Sequence, residues 1–278
     1  MNDTEKPLPD FSAPPVTEVA LSVQFEALSA LRTPQLGLLW QEFRKEFPET
    51  EEHPPLDSVI ERFGVRPTRR RAVHIEPLEC PPTPRCWFLK KDRSELIQVQ
   101  QDRFVRNWRE VGDESSYPRY KRLRPTFARD LARFQKFVQD EELGELQPNQ
   151  CEVTYVNQIV AGKGWQGHGE LDKVVTVFQR AFSDDFLRIP EDAALRLRFV
   201  IPDQTGTPIG RLHIAINPGF RSEDNQPLFN MNLTARGAPS GDGIDGVLSF
   251  LDLGREWVVR GFASMTTQEM HKLWRRKT

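Results

Sequence analysis

RCWFLKKDRSELIQVQQDRFVRNWREVGDESSYPRY, residues 85–120, is the stretch on which the reading of this sequence turns. It opens with an aromatic strand at Trp87 and Phe88 and turns at Lys91-Asp92-Arg93. A second strand then runs from Glu95 to Trp108 and carries Gln98, Gln100, Gln101, Arg103, Arg106 and Asn107, with Arg109 just beyond. Strands usually favour β-branched and aromatic residues. So many amides and guanidiniums predict a sheet surface that does more than pack.

Upstream, Val19, Leu21, Val23 and Phe25 alternate with Ala20, Ser22 and Gln24, the period of two of a half-buried strand. A helix follows, because Leu36, Leu39, Trp40, Phe43 and Phe47 recur at offsets 0, 3, 4, 7 and 11. Pro48 ends it. Residues 1–13 are polar and proline-rich and read as a flexible arm. Residues 49–84 hold seven prolines and the triplet Arg69-Arg70-Arg71 and read as an irregular insertion, with one short strand near Val73-His74-Ile75.

Downstream, Leu123, Phe127, Leu131, Phe134 and Val138 mark one face of a helix from about Pro118 to Asp140. The pattern then starts over. Val153, Tyr155, Asn157 and Ile159 alternate, and Leu171, Val174, Val175, Phe178 and Phe182 repeat the offsets of the first helix 135 residues later. Strands follow at Leu195–Ile201, Arg211–Ile216 and Pro227–Thr234, then a long helix from Ile244 to Phe262. A short last helix starts at the capping-box pattern Thr266-Thr267-Gln268-Glu269. The expectation is an α+β fold of two topologically similar halves, residues 14–145 and 146–278, with antiparallel sheets covered by helices on one face.

Four pieces recur in this order in one family: Pro14-Pro15-Val16-Thr17-Glu18, Ile97-Gln98-Val99-Gln100, Asn107-Trp108-Arg109 and Tyr117-Pro118-Arg119-Tyr120. On them the chain resembles a sporadically distributed group of prokaryotic proteins of about this length and of unknown function. The resemblance implies kinship and no activity. The family's patchy occurrence implies an accessory role, such as a factor in a defence or toxin-neutralising locus.

Composition bounds the rest. The 38 basic and 40 acidic residues nearly cancel, so no global field calls for nucleic acid or a membrane. Three cysteines without CxxC spacing, and no apolar leader or span, predict a cytoplasmic protein with free thiols. The five histidines are scattered without ligand spacing, and no GxSxG occurs, so neither a metal nor a cofactor is expected. Gly162, Gly164 and Gly167 mimic a dinucleotide loop but lack a parallel βαβ unit around them, which leaves Lys163 as an anion-binding candidate.

Two surfaces remain. Arg103 to Lys136 holds ten Arg or Lys against four Asp or Glu, with Arg103, Arg106, Arg109, Arg119, Lys121, Arg122 and Arg124 interleaved with aromatics. Such a mixture suits single-stranded nucleic acid, and it equally describes a solvated, ion-paired face. The amides Gln98, Gln100 and Asn107, with Trp108, Tyr155 and Asn157, are candidates for a ligand groove between the halves. The leading expectation is a non-catalytic binding protein with a protein partner or self-association through sheet edges. Nucleic-acid binding is the alternative, and an enzyme with a site between the halves the third reading.

Overall fold

The computed structural model describes residues 7–64, 82–112, 117–177, 186–187 and 190–278. Its strands are β1 (Val16–Phe25), β2 (Glu49–His53), β3 (Arg85–Leu89), β4 (Glu95–Gln100), β5 (Arg103–Arg109), β6 (Pro148–Val160), β7 (Leu195–Pro202), β8 (Pro208–Phe220) and β9 (Pro227–Gly237). All pair antiparallel in one nine-stranded sheet, in the order β2-β3-β4-β5-β1-β6-β9-β8-β7. The described α-helices are α1 (Thr33–Phe43), α2 (Tyr120–Asp140), α3 (Leu171–Val174), α4 (Gly243–Met265) and α5 (Gln268–Leu273). The architecture is α+β, and none of these helices is long and apolar enough to cross a membrane.

β1 sits in the middle of the sheet, and its alternating apolar residues face the core. Val19, Leu21, Val23 and Phe25 are all buried, and the strand pairs with β5 on one side and β6 on the other. Opposite residues share a face, so Leu21 aligns with Arg106 and Val153, and Val23 with Phe104 and Cys151. One hydrophobic cluster runs from Phe11 to Trp274 through both ends of the sheet. α4 lies against β6, β8 and β9, α2 against β5 and α4, and α1 against β3.

The expected strand from Glu95 to Trp108 is two strands. Gln100 pairs directly with Arg103, and Gln101-Asp102 forms the turn between them. No Gly or Asn-Gly announces that hairpin. The signal is a change of parity, with buried Ile97 and Val99 at odd positions giving way to buried Phe104 and Trp108 at even ones.

Three further expectations shift. α1 ends at Phe43, and Phe47 reaches the core from the following turn, where its carbonyl accepts from Trp40 Nε1 at 3.0 Å. β2 forms within the region read as irregular, while Val73–Ile75 and Arg69–Arg71 lie outside the described residues. α3 stops after one turn, because Val175 adopts extended backbone and bridges to Thr266. The β-branched run Val174-Val175-Thr176 favours that extension, and Phe178 and Phe182 lie outside the described residues. α5 is capped by Thr267 rather than Thr266, whose hydroxyl instead donates to the Phe262 carbonyl at 2.8 Å.

The N-terminal segment from Asp10 to Ala13 is tied to the C-terminus. Ser12 and Ala13 donate to the carbonyls of Arg275 and Trp274, both at 3.1 Å, and the buried Phe11 ring packs on Phe262 at 5.5 Å. Part of the expected flexible arm therefore seals one end of the core.

Candidate functional site

A cavity of about 290 Å³ opens where β1 and β6 meet the start of α2 and the last turns of α4. Alternation aims Tyr155 and Asn157 of β6 into it beside Val16 of β1, with which Asn157 is paired. Leu233, Val258 and Phe262 give it an apolar wall. Tyr117 stands before α2 and joins its hydroxyl to that of Tyr155 at 2.9 Å, while its ring meets Trp108 at 5.5 Å. Burial pushes both hydroxyls above the usual phenol range, most strongly that of Tyr155. They remain protonated at any physiological pH, and one of their two hydrogens is left over from the mutual bond.

Charge on the cavity is mostly positive. Among the described residues, Arg119, Lys121, Arg255 and Lys277 line it against a single carboxylate, Asp10. Asp10 is shared, accepting from Arg119 at 3.1 Å and pairing with Lys277 at 3.2 Å. Arg119 is placed by backbone with φ +66° at the start of α2, and its other nitrogen donates to the Phe11 carbonyl at 2.8 Å. The Arg255 guanidinium lies 5.2 Å over the Tyr120 ring, and its buried Nε has no hydrogen-bond partner. The Tyr120 hydroxyl donates to Asp252 at 2.8 Å, and burial together with that carboxylate raises it far above its usual value.

The six groove candidates separate by parity. Trp108, Tyr155 and Asn157 belong to the cavity side, with Asn157 Nδ2 donating to the Met231 carbonyl at 3.1 Å. Gln98, Gln100 and Asn107 project from the opposite face. There Arg85 donates to Gln98 at 2.9 Å, Gln98 to Asn107 at 2.8 Å, and Asn107 to Glu18 at 2.5 Å, a relay across four strands. Gln100 instead holds the backbone of Leu56. A one-residue step along a strand turns a side chain to the other face, so these residues form two surfaces rather than one groove.

The basic candidates do not converge either. Arg106 is buried in the core between Glu95 and Asp130. Arg103 lies on the amide face, donating to Gln24 at 2.8 Å and to the Asp57 carbonyl at 2.9 Å. Arg109 stacks 5.5 Å over Trp87. Arg122 pairs with Glu95 at 3.4 Å and Arg124 with Asp252 at 2.8 Å. Only Arg119 and Lys121 of the seven reach the cavity.

Lys163 is exposed on a turn anchored by Trp165, which is buried against Phe229 at 4.6 Å. Gly162 and Gly164 adopt φ of +95° and +86°, so the glycines serve the turn. Burial pushes the thiols of Cys86 and Cys151 up to about 11 and about 12, which keeps them protonated, and Cys80 and His74 lie outside the described residues. Among the described residues no three His, Cys, Asp or Glu converge as a metal site.

Sequence reasoning missed Arg255, Asp10 and Lys277, which only tertiary contact brings together. It also missed Gln24 and Gln150, whose signal was available: each is an amide in a strand at the parity opposite to the core residues. Comparison of the chain with protein-family models, curated proteins and solved structures finds no match.

Proposed function

We propose that this protein is a non-catalytic binding protein that takes a small organic anion in the cavity between Tyr155 and Arg255. The observation that carries this reading is unneutralised positive charge on a partly apolar cavity, where four cationic side chains face one carboxylate. A buried donor left without an acceptor costs about 1–3 kcal/mol. A bound carboxylate meeting Arg255 Nε and a tyrosine hydroxyl recovers that cost. The volume of about 290 Å³ stands at the lower end of ligand pockets and suits a ring or short chain bearing one acidic group. The tyrosine hydroxyls are held protonated, which suits donating to a ligand.

The cavity is also the junction of what we read as two repeats, residues 14–145 and 146–278, with their helices on one face of the sheet. Outward from the centre the sheet runs β1, β5, β4, β3 on one side, with β2 added at that edge, and β6, β9, β8, β7 on the other. α1 and α3 follow the inner strands, and α2 and α4 close each half. A ligand at such a junction couples the halves. That suits a factor responding to a small molecule, and the resemblance to a sporadically distributed prokaryotic family implies an accessory role for it, such as in a defence or toxin-neutralising locus.

A thermal-shift panel tests the reading with matched probes: benzoate, benzamide and benzylamine, then octanoate and octanol. Stabilisation by the two carboxylates alone, abolished in Arg255→Leu, is the expected result. Equal effects of charged and neutral members, or an undiminished effect in Arg255→Leu, overturn it.

A further inference from the structure

Residues 54–63, PPLDSVIERF, cross the amide face of the sheet, on the side away from the cavity. Three glutamines of three strands hold their backbone. Leu56 N–H donates to Gln100 Oε1 at 2.9 Å, and Gln100 Nε2 returns a bond to the Leu56 carbonyl at 3.0 Å. Val59 N–H donates to Gln24 at 2.9 Å and Glu61 N–H to Gln150 at 2.7 Å. Each of those glutamines is 4% exposed, whereas Leu56, Val59 and Ile60 above them are 38%, 38% and 43% exposed. The segment is held by its backbone, while Leu56, Val59 and Ile60 remain more than a third exposed.

One side chain is read individually. The Glu61 carboxylate meets Arg211, His213 Nε2 at 2.5 Å and Arg236 at 3.5 Å. Arg211 also donates to the Arg62 carbonyl at 2.8 Å and lies 4.4 Å over the Phe63 ring. The face therefore holds backbone at three points, Leu56, Val59 and Glu61, and contacts one carboxylate and an aromatic residue two positions later.

We propose that this face is a peptide-binding groove whose internal occupant is residues 54–63, and that an extended segment of a partner protein carrying a Glu-x-aromatic pair exchanges with it. The bonds themselves favour exchange. A hydrogen bond contributes only about 0.5–1.5 kcal/mol net because its partners are replaceable, and an incoming backbone offers the same donors and acceptors. Charge-assisted bonds at the carboxylate set the register and the preference for acid. The internal segment holds its place by tethering, at an effective concentration on the order of millimolar. A partner segment displaces it by binding more tightly than that. The groove and the anion cavity lie on opposite faces, so either assignment stands without the other.

The test uses a fluorescein-labelled peptide of residues 53–64 and the full-length protein, followed by fluorescence anisotropy. Glu61→Gln loosens the internal segment, so that variant is expected to bind the peptide at least tenfold more tightly than the wild type. Adding Arg211→Met, or replacing the peptide's glutamate by glutamine, is expected to remove at least tenfold of that affinity. A Glu61→Gln protein with native circular dichroism and no peptide binding overturns the proposal. So does concentration-dependent dimerisation of that variant that excludes the peptide, which assigns the groove to a second copy. Hydrogen exchange on the wild type gives an independent reading: the amides of Leu56, Val59 and Glu61 are expected to show protection at least tenfold lower than those of β1. Equal protection means the segment opens only with global unfolding, and overturns the exchange.

Discussion

The Arg106 guanidinium is 4% exposed, bonded to Glu95 and Asp130, and lies 5.4 Å over the Phe47 ring. Burial works to raise Glu95, but the Lys90 and Arg106 partners pull it below the usual carboxylate range. Removing one member of such a buried set strands the others, at a cost of about 3–5 kcal/mol. Arg106→Leu is therefore expected to lose about that much in urea denaturation, while Arg122→Leu, at the exposed end of the same cluster, loses less than about 1 kcal/mol. The role of Arg106 was legible once its parity was weighed, since it alternates with Phe104 and Trp108. Counting it by charge hid that. Tyr155 and Asn157 were found because a strand's alternation is local. Arg255 was not, because its neighbours come from β6, α2 and both ends of the chain.

Glu61 gives the residue scale its pH dependence. Burial would raise its carboxyl, but bonds from His213 and Arg211 outweigh that and hold it at about 2, against an ordinary 4.5. A carboxyl lowered on folding stabilises fully above 4.5 and loses that contribution as pH falls toward about 2. The wild-type urea midpoint is expected to fall more steeply across that window than the midpoint of Glu61→Gln. Parallel profiles contradict the placement of Glu61 among its cations.

At the scale of elements, α4 and β9 meet at a point where no side chain fits. A Cβ on Gly237 would lie 2.4 Å from both the Ile209 carbonyl oxygen and the Phe250 ring. Gly237→Ala is expected to destabilise by about 1–3 kcal/mol, since a packed backbone contact does not yield. An unchanged unfolding midpoint contradicts that close approach. Amphipathic spacing located α2 and α4 well, because each buries a continuous stripe over many turns. It failed at α3, where the same five offsets recur but Val175 is drawn into a bridge with Thr266. The hairpin turn at Gln101-Asp102 was hidden by the lack of a turn residue, although the change of parity on either side marks it. The segment at 54–63 was unreadable for another reason. It is held by amides of distant strands and carries no periodicity of its own.

For the whole molecule, one sheet and one core run through the described residues, and the proposed anion site lies at the junction of β1, β6, α2 and α4. The restart of strand and helix patterns that underlies the proposed two halves was legible in the sequence. The cavity was not, because it needs Asp10 and Lys277 brought to α4 by the pairing of the chain ends. Calorimetric titration of benzoate into the wild type, Arg255→Leu and Leu233→Trp tests the junction most directly. The account predicts saturable binding at one site per chain, weakened at least tenfold by Arg255→Leu and blocked by Leu233→Trp, which fills the cavity. Binding of the same strength in all three proteins, or none in the wild type, would contradict it.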